Sequence, residues 1–357
     1  MKILRAWWIP AEDNGPEREY HWPYINKEFG IHLYYGGDQK KIQLERVKLG
    51  QRAILFVDSS VKNFDFLNQF PARSVVVFFV SDETYSLIPN LKIILKKSVD
   101  SILRDYPIRS LRGVSGYFKT IVKSLLLCRR DKLSYRDLFI AILAGLVSLC
   151  RQVIIKVSAR LFRRKLKHLP LGYTGWYCAR IESEFGLSKT QDLLTWSISQ
   201  SESGIPKRTL TFFGGQKGNF DRQVFLQQAK KQGIEANQTF NAFGGPVEDH
   251  LRVKAQELYF NGLKEARFAP CPSGNYSAET FRYLESLLLH ALPIRPRKVL
   301  SDPLFSLATS DRTISLKKTE LESMTELERM AQVRDQLETF KKEITELIAD
   351  ISNAGSS

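Results

Sequence analysis

The chain has 357 residues, 43% hydrophobic and 25% charged, which excludes a disordered or low-complexity protein and leaves room for about two domains with their own cores. Lys and Arg number 53 against 38 Asp and Glu, and the 4 Cys (128, 150, 178, 271) show no Cys-x-x-Cys or paired Cys/His spacing. A disulfide-framed secreted module and a structural zinc site are therefore not expected, and the chain reads as reduced and intracellular.

Met1–Trp8 reads as a strand, without the basic, apolar and small-residue order of a signal peptide. A polar, Gly/Pro-containing loop follows (Ala11–Trp22) and carries Glu12, Asp13 and His21; a surface role accounts for the histidine equally well. Ala53–Val57, closed by Asp58-Ser59-Ser60, and Ser74–Val80, closed by Ser81-Asp82-Glu83, are short continuous apolar runs. Such runs predict strands covered on both faces of a parallel sheet, and Leu91–Leu95 is a third candidate. Asp82 and Glu83 then lie at a strand's carboxyl end, where open α/β sheets place ligands, although helix capping alone also explains such a pair.

The charge excess is concentrated. Residues 92–168 hold 19 Lys/Arg against 4 Asp/Glu, so the rest of the chain is neutral. The same segment contains the most apolar run, Leu138–Cys150, which at 13 residues falls short of the ~20 a bilayer crossing needs. A buried core helix, a monotopic element seated in one leaflet and a spanning helix are the three readings. The surrounding cations favour an anionic membrane surface. Nucleic acid is not expected, because the cations flank aliphatic side chains and no nucleic-acid-binding motif is present. Leu169–Tyr173 is a turn-rich break.

A second αβ set begins after residue 206. Thr209–Phe213 predicts a strand, Gly214–Asn219 a loop, and Asp221 a cap for a helix Arg222–Gln232. Glu257–Lys264 reads as helical, Arg267–Pro270 as extended, Ala278–His290 as a helix and Leu292–Ile294 as a short edge strand. The glycine loop suits a phosphate or a simple tight turn; neither the P-loop nor the dinucleotide spacing is met. On the helix Ala278–His290, Arg282 and Glu285 share one face with Glu279 one position round. This suits a nucleotide-sugar, or else a solvated ion pair. In the tail, Met330, Leu337, Ile344 and Ile351 recur every seven residues, interleaved with Val333, Phe340 and Leu347. They allow a coiled coil between two copies, a homodimer, or an amphipathic helix lying back on the body.

The segments Phe212-Phe213-Gly214-Gly215 with Arg222, Ala269–Gly274, Glu279-Thr280-x-Arg282-x-x-Glu285 and Ala291–Ile294 resemble the donor half of exostosin-like glycosyltransferases, with the relatives of ribitol xylosyltransferase nearest in this stretch. Val80–Glu83 and Leu169–Tyr173 resemble a strand end and an interdomain turn of the same enzymes. Ala291 stands where that family usually has Gly, and Arg295-Pro296-Arg297 where it has a polar turn. The resemblance implies an α/β, GT-B architecture of two Rossmann-like domains facing a cleft. Residues 1–170 would form the acceptor side, with 113–167 as a basic, apolar, membrane-associating insertion. Residues 171–310 would bind the donor, and 311–352 would form the carboxyl-terminal helix.

The resemblance also places a nucleotide-sugar donor against Gly214, Gly215, Arg222, Ser273, Gly274, Asn275, Glu279, Thr280, Arg282 and Glu285, with help from Lys217. It implies transfer usually with inversion, and the basic apolar segment adds an enzyme held peripherally on the cytoplasmic face of the membrane, acting on a lipid-linked or cell-envelope saccharide or glycolipid. Asp82, Glu83 or Asp13 would be the base. No Asp-x-Asp occurs, so neither a metal nor another cofactor is expected beyond the nucleotide-sugar itself. The alternative is a non-catalytic, membrane-associated scaffold with a glycosyltransferase-like body.

Overall fold

The runs Ala53–Asp58 and Val75–Val80 lie side by side in parallel, in register from Ala53↔Val75 to Asp58↔Val80. The Ile, Leu, Phe and Val side chains of 54–57 and 75–79 are almost wholly buried on both faces, as central parallel strands require. The protein is seen here in a computed structural model that describes residues 4–9, 24–25, 27–35, 39–58, 61–80, 87–104, 114–169, 171–189, 191–201, 205, 207, 209–211, 220–234, 249–272, 281–295 and 317–353. Among these the chain is mixed α/β, with two parallel sheets.

The larger sheet contains β1 (Leu4–Ile9), β2 (Ile31–Tyr35), β3 (Ala53–Asp58), β4 (Val75–Val80), β5 (Val99–Arg104) and β6 (Lys165–His168). They lie in the order β2-β1-β3-β4-β5-β6, every pair parallel. Strand order reverses at β1, as in doubly wound Rossmann-like sheets. The connections are α1 (Gln39–Lys48), a 3-10 turn (Asp65–Gln69), α2 (Leu87–Leu95), and the pair α3 (Val114–Asp131) and α4 (Tyr135–Leu161). Leu91–Leu95, expected as a strand, is the last part of α2; the strand comes four residues later as β5. Asn90, Ile93 and Ile94 are buried there at helical spacing, and so short an apolar run does not distinguish the two states by itself.

One face of this sheet packs Leu55, Val57, Val75, Val77 and Ile102 with Ile93 and Ile94 of α2 and Ile155 and Ala159 of α4. The other is aromatic: the Phe78 ring stacks with Phe56 at 6.3 Å and meets Phe29 edge-on at 6.4 Å, and Tyr24 lies edge-on to both Phe29 and Tyr173. A Cβ on Gly172 would fall 2.2 Å from the Tyr24 ring, so the Leu-Gly turn expected in this stretch needs glycine for close approach. The Tyr173 hydroxyl donates to the buried Glu28 carboxylate at 2.9 Å. The edge strand β6 (Lys-Leu-Lys-His) is polar and partly exposed, which blunts edge pairing.

The smaller sheet orders β7 (Thr209–Thr211), β8 (Ala266–Pro270) and β9 (Leu292–Ile294) in sequence, again all parallel. Around it lie α5 (Gly175–Phe185), α6 (Leu193–Gln200), α7 (Phe220–Lys231), α8 (Asp249–Glu265), α9 (Arg282–Leu288), α10 (Lys318–Ser323) and α11 (Glu326–Asn353). Asp221, expected as a cap, is inside the first turn of α7. The helix expected to reach His290 ends at Leu288. There His290 takes φ 58°, and Ala291 N–H donates to Ser286 O while His290 N–H donates to Leu287 O. This is a Schellman stop with histidine where glycine is usual. The remaining end carbonyls are taken by buried donors: Ser197 on Leu288, Lys207 on Leu289 and Arg329 on His290.

Contacts group residues 1–110, 147–176 and 342–357 into one compact unit and 111–146 with 177–341 into another, so the units interleave along the chain. Six of the seven heptad residues of α11 (Val333, Leu337, Phe340, Ile344, Leu347, Ile351) are buried within the chain, and Met330 is partly buried.

Candidate functional site

Parallel pairing brings the carboxyl ends of β7, β8 and β9 to one edge of the smaller sheet, the edge at which α/β sheets receive ligands. Cys271 follows β8, Arg295 follows β9, and Arg222 and Arg282 lie in the first turns of α7 and α9. Arg222 is half-buried, and its guanidinium is pushed down to about 10, first by loss of water and then by the charge of Arg282. The two cations therefore share one neighbourhood.

Each arginine is held from its apolar side. The Arg282 guanidinium lies over the Tyr259 ring at 5.6 Å, and that of Arg295 over the Tyr283 ring at 3.1 Å. Arg295 is only 6% exposed. Arg282 Nε and Arg295 Nη2 are buried and find no hydrogen-bond acceptor among the described residues. Buried guanidinium nitrogens in that state are poised for an anion.

The carboxylate of this cluster is Glu285, itself buried. Its Oε2 accepts from the Tyr259 hydroxyl at 2.8 Å, and its backbone carbonyl accepts from the Tyr177 hydroxyl at 2.6 Å. Burial and the Glu285 charge hold both phenols well above their ordinary range, so they remain donors. Glu285 is thus an internal anchor under the Arg282–Tyr259 stack. Cys271 is buried and its thiol is pushed up to about 11 by burial, with Arg282 and Arg295 opposing. At neutral pH that keeps it a thiol.

Of the residues expected on the donor side, Arg222, Arg282 and Glu285 come together here. Gly214, Gly215, Lys217, Ser273, Gly274, Asn275, Glu279 and Thr280 lie outside the described residues, as do the candidate bases Asp13, Asp82 and Glu83 and their neighbours Glu12 and His21. Sequence reasoning passed over Arg295 and Tyr259. Arg295 carried a signal in its place directly after a strand; Tyr259 carried none, because α8 brings it in by tertiary packing. Comparison of the chain with protein-family models, with curated proteins and with solved structures gives no match.

Proposed function

We propose that the chain is a nucleotide-sugar-dependent glycosyltransferase of GT-B type, with the donor diphosphate held by Arg222, Arg282 and Arg295 and the sugar passed to a lipid-linked or envelope saccharide. The observation that carries this is the pairing of the half-buried Arg222 and Arg282 at the carboxyl ends of parallel strands. Two guanidiniums brought together at this edge raise its positive potential, and a departing diphosphate is the kind of anion such a site favours. In this reading the acceptor hydroxyl attacks the anomeric carbon in line. A carboxylate takes its proton, Asp82 first in order of candidacy, then Glu83 and Asp13. The arginines stabilise the leaving group without a metal.

A panel of nucleoside diphosphates and nucleotide-sugars, read by thermal shift, tests it. A ligand at 100 times its Kd raises stability by about 2.7 kcal/mol. The matching nucleotide should do so in the wild type, and at the same concentration should give no more than about 1.4 kcal/mol in Arg282→Ala. Absence of any shift across the panel sinks the transferase and leaves the scaffold.

A further inference from the structure

The helices that join β5 to β6 are built inside out. In α4 the buried positions are mostly small or polar, Ala141, Gly145, Ser148, Gln152 and Ala159, with Leu138 and Ile155 the large exceptions. The exposed ones are large and apolar, among them Phe139 (66% exposed), Ile140, Leu143, Val147, Val157 and Leu161. In α3, Tyr117, Ser124 and Cys128 are buried while Phe118, Val122, Leu125 and Leu126 face outward. A helix of a water-soluble body does the reverse. Of the 22 large apolar side chains exposed among the described residues, 14 lie between Phe118 and Phe162, concentrated in this segment of the chain.

Charge identifies what covers it. At roughly 100° per residue, the outward residues of α4 form one stripe along the whole helix. Arg151 falls on one margin of that stripe and Arg160 near the other, with Lys156 farther round; all three are exposed. On α3, the exposed Lys119, Lys123 and Arg130 edge the apolar positions. No carboxylate faces outward with them. Asp137 lies on the opposite side of α4, near Gln223, and Asp131 is paired with Arg130 and Lys231. An apolar stripe edged by cations complements a layer of anionic headgroups above acyl chains. A second copy would set cations against cations.

The helix also cannot leave the body to span. It is long enough by length and composition, 27 residues or roughly 40 Å. Yet Ile155 and Ala159 sit in the core of the larger sheet, and the Tyr117 hydroxyl donates to the Ile142 carbonyl at 3.0 Å.

We infer that the outward face of α3 and α4 lies in the headgroup–acyl boundary of an anionic bilayer as a monotopic element. This deepens the peripheral attachment in the proposed function and draws nothing from the arginine site. Cys150 lies on the stripe and is exposed, while Cys128, Cys178 and Cys271 are buried, so a maleimide dye on the full chain reports this face selectively.

With vesicles of phosphatidylglycerol and phosphatidylcholine the labelled protein should float with the lipid, and its emission should shift to the blue. Quenching should be strongest from lipids brominated near the glycerol end. Pure phosphatidylcholine should retain at least tenfold less protein. Leu143→Glu with Val157→Glu should abolish flotation, and Arg151→Gln with Lys156→Gln and Arg160→Gln should erase the preference for anionic lipid, both at unchanged circular dichroism. No flotation, equal binding to both vesicles, quenching strongest at the bilayer midplane, or a blue shift without lipid that grows with protein concentration would each overturn the inference. Nucleotide-induced thermal shift, measured without vesicles, reads the transferase proposal separately.

Discussion

Arg282 is the residue on which the donor site turns, and its chemistry separates from its charge. The guanidinium is stacked on Tyr259 and presents a buried, unsatisfied Nε. Charge-assisted hydrogen bonds of that kind are worth about 1.5–3 kcal/mol, so Arg282→Ala should weaken nucleoside diphosphate binding roughly tenfold to a hundredfold in a calorimetric titration. Arg282→Lys keeps the charge but loses the planar fork and the stack, and should recover little of it. His290 offers a test in pH. Burial, with Lys207 and Arg329 nearby, holds its imidazole down to about 4, and its Nε2 bonds the Ser197 carbonyl at 2.9 Å. The unfolded chain protonates this group near pH 6.5 and the folded chain near 4, so between those values the unfolded state binds more protons. Stability is full above about pH 6.5 and falls by up to roughly 3 kcal/mol as pH drops to about 4. His290→Gln should flatten that part of the denaturation-midpoint profile. At Gly172 an added methyl must displace the Tyr24 ring, and Gly172→Ala should cost about 1–3 kcal/mol in urea unfolding.

Among the elements, α11 shows how one pattern serves two outcomes. A seven-residue apolar repeat specifies a buried stripe but not what buries it, and here Val333, Leu337, Phe340 and Ile344 are covered within the chain. Leu337→Ala should therefore lower stability by about 2–5 kcal/mol at every protein concentration, whereas an intermolecular coiled coil would give a midpoint that rises with concentration. The same distinction explains what the sequence allowed one to read. β3 and β4 were legible because central parallel strands are apolar on both faces. β6 was not, because an edge strand spelled Lys-Leu-Lys-His carries no apolar signal, and β5 was hidden because Val99–Arg104 buries Asp100, Ser101 and Arg104 beside its apolar residues. Asp100 is tolerated there by Arg52, whose Nη1 donates to it at 2.9 Å, a partner 48 positions away that no local pattern announces. At the candidate site, Arg222 and Arg282 stood in recognisable strand–loop–helix settings, but Tyr259 and Tyr177 reach it through packing alone.

At the scale of the whole molecule, the basic segment proves to be partly architecture. Sequence alone suggests residues 113–167 as a removable membrane insertion, yet the segment ends in β6, which pairs with β5 from Ser101↔Lys165 through Leu103↔Lys167, and it carries Ile155 and Ala159 into the sheet core. Arg164 adds to this, donating to the carbonyls of Ile94 and Lys96 at 3.1 and 2.9 Å. Deleting 113–167 therefore removes an edge strand, two core side chains and two capping hydrogen bonds at once. Calorimetry of that deletion should show no cooperative transition for the unit built on the larger sheet. Exchanging only Phe139, Leu143 and Val157 for glutamine should leave the transition within about 0.5 kcal/mol of the wild type, because these side chains touch solvent and not the core. A deletion that melts like the intact protein would mean that the segment is an appendage after all. A polar triple variant that fails to melt cooperatively would mean that the outward stripe is holding the fold together and is not free to meet a membrane.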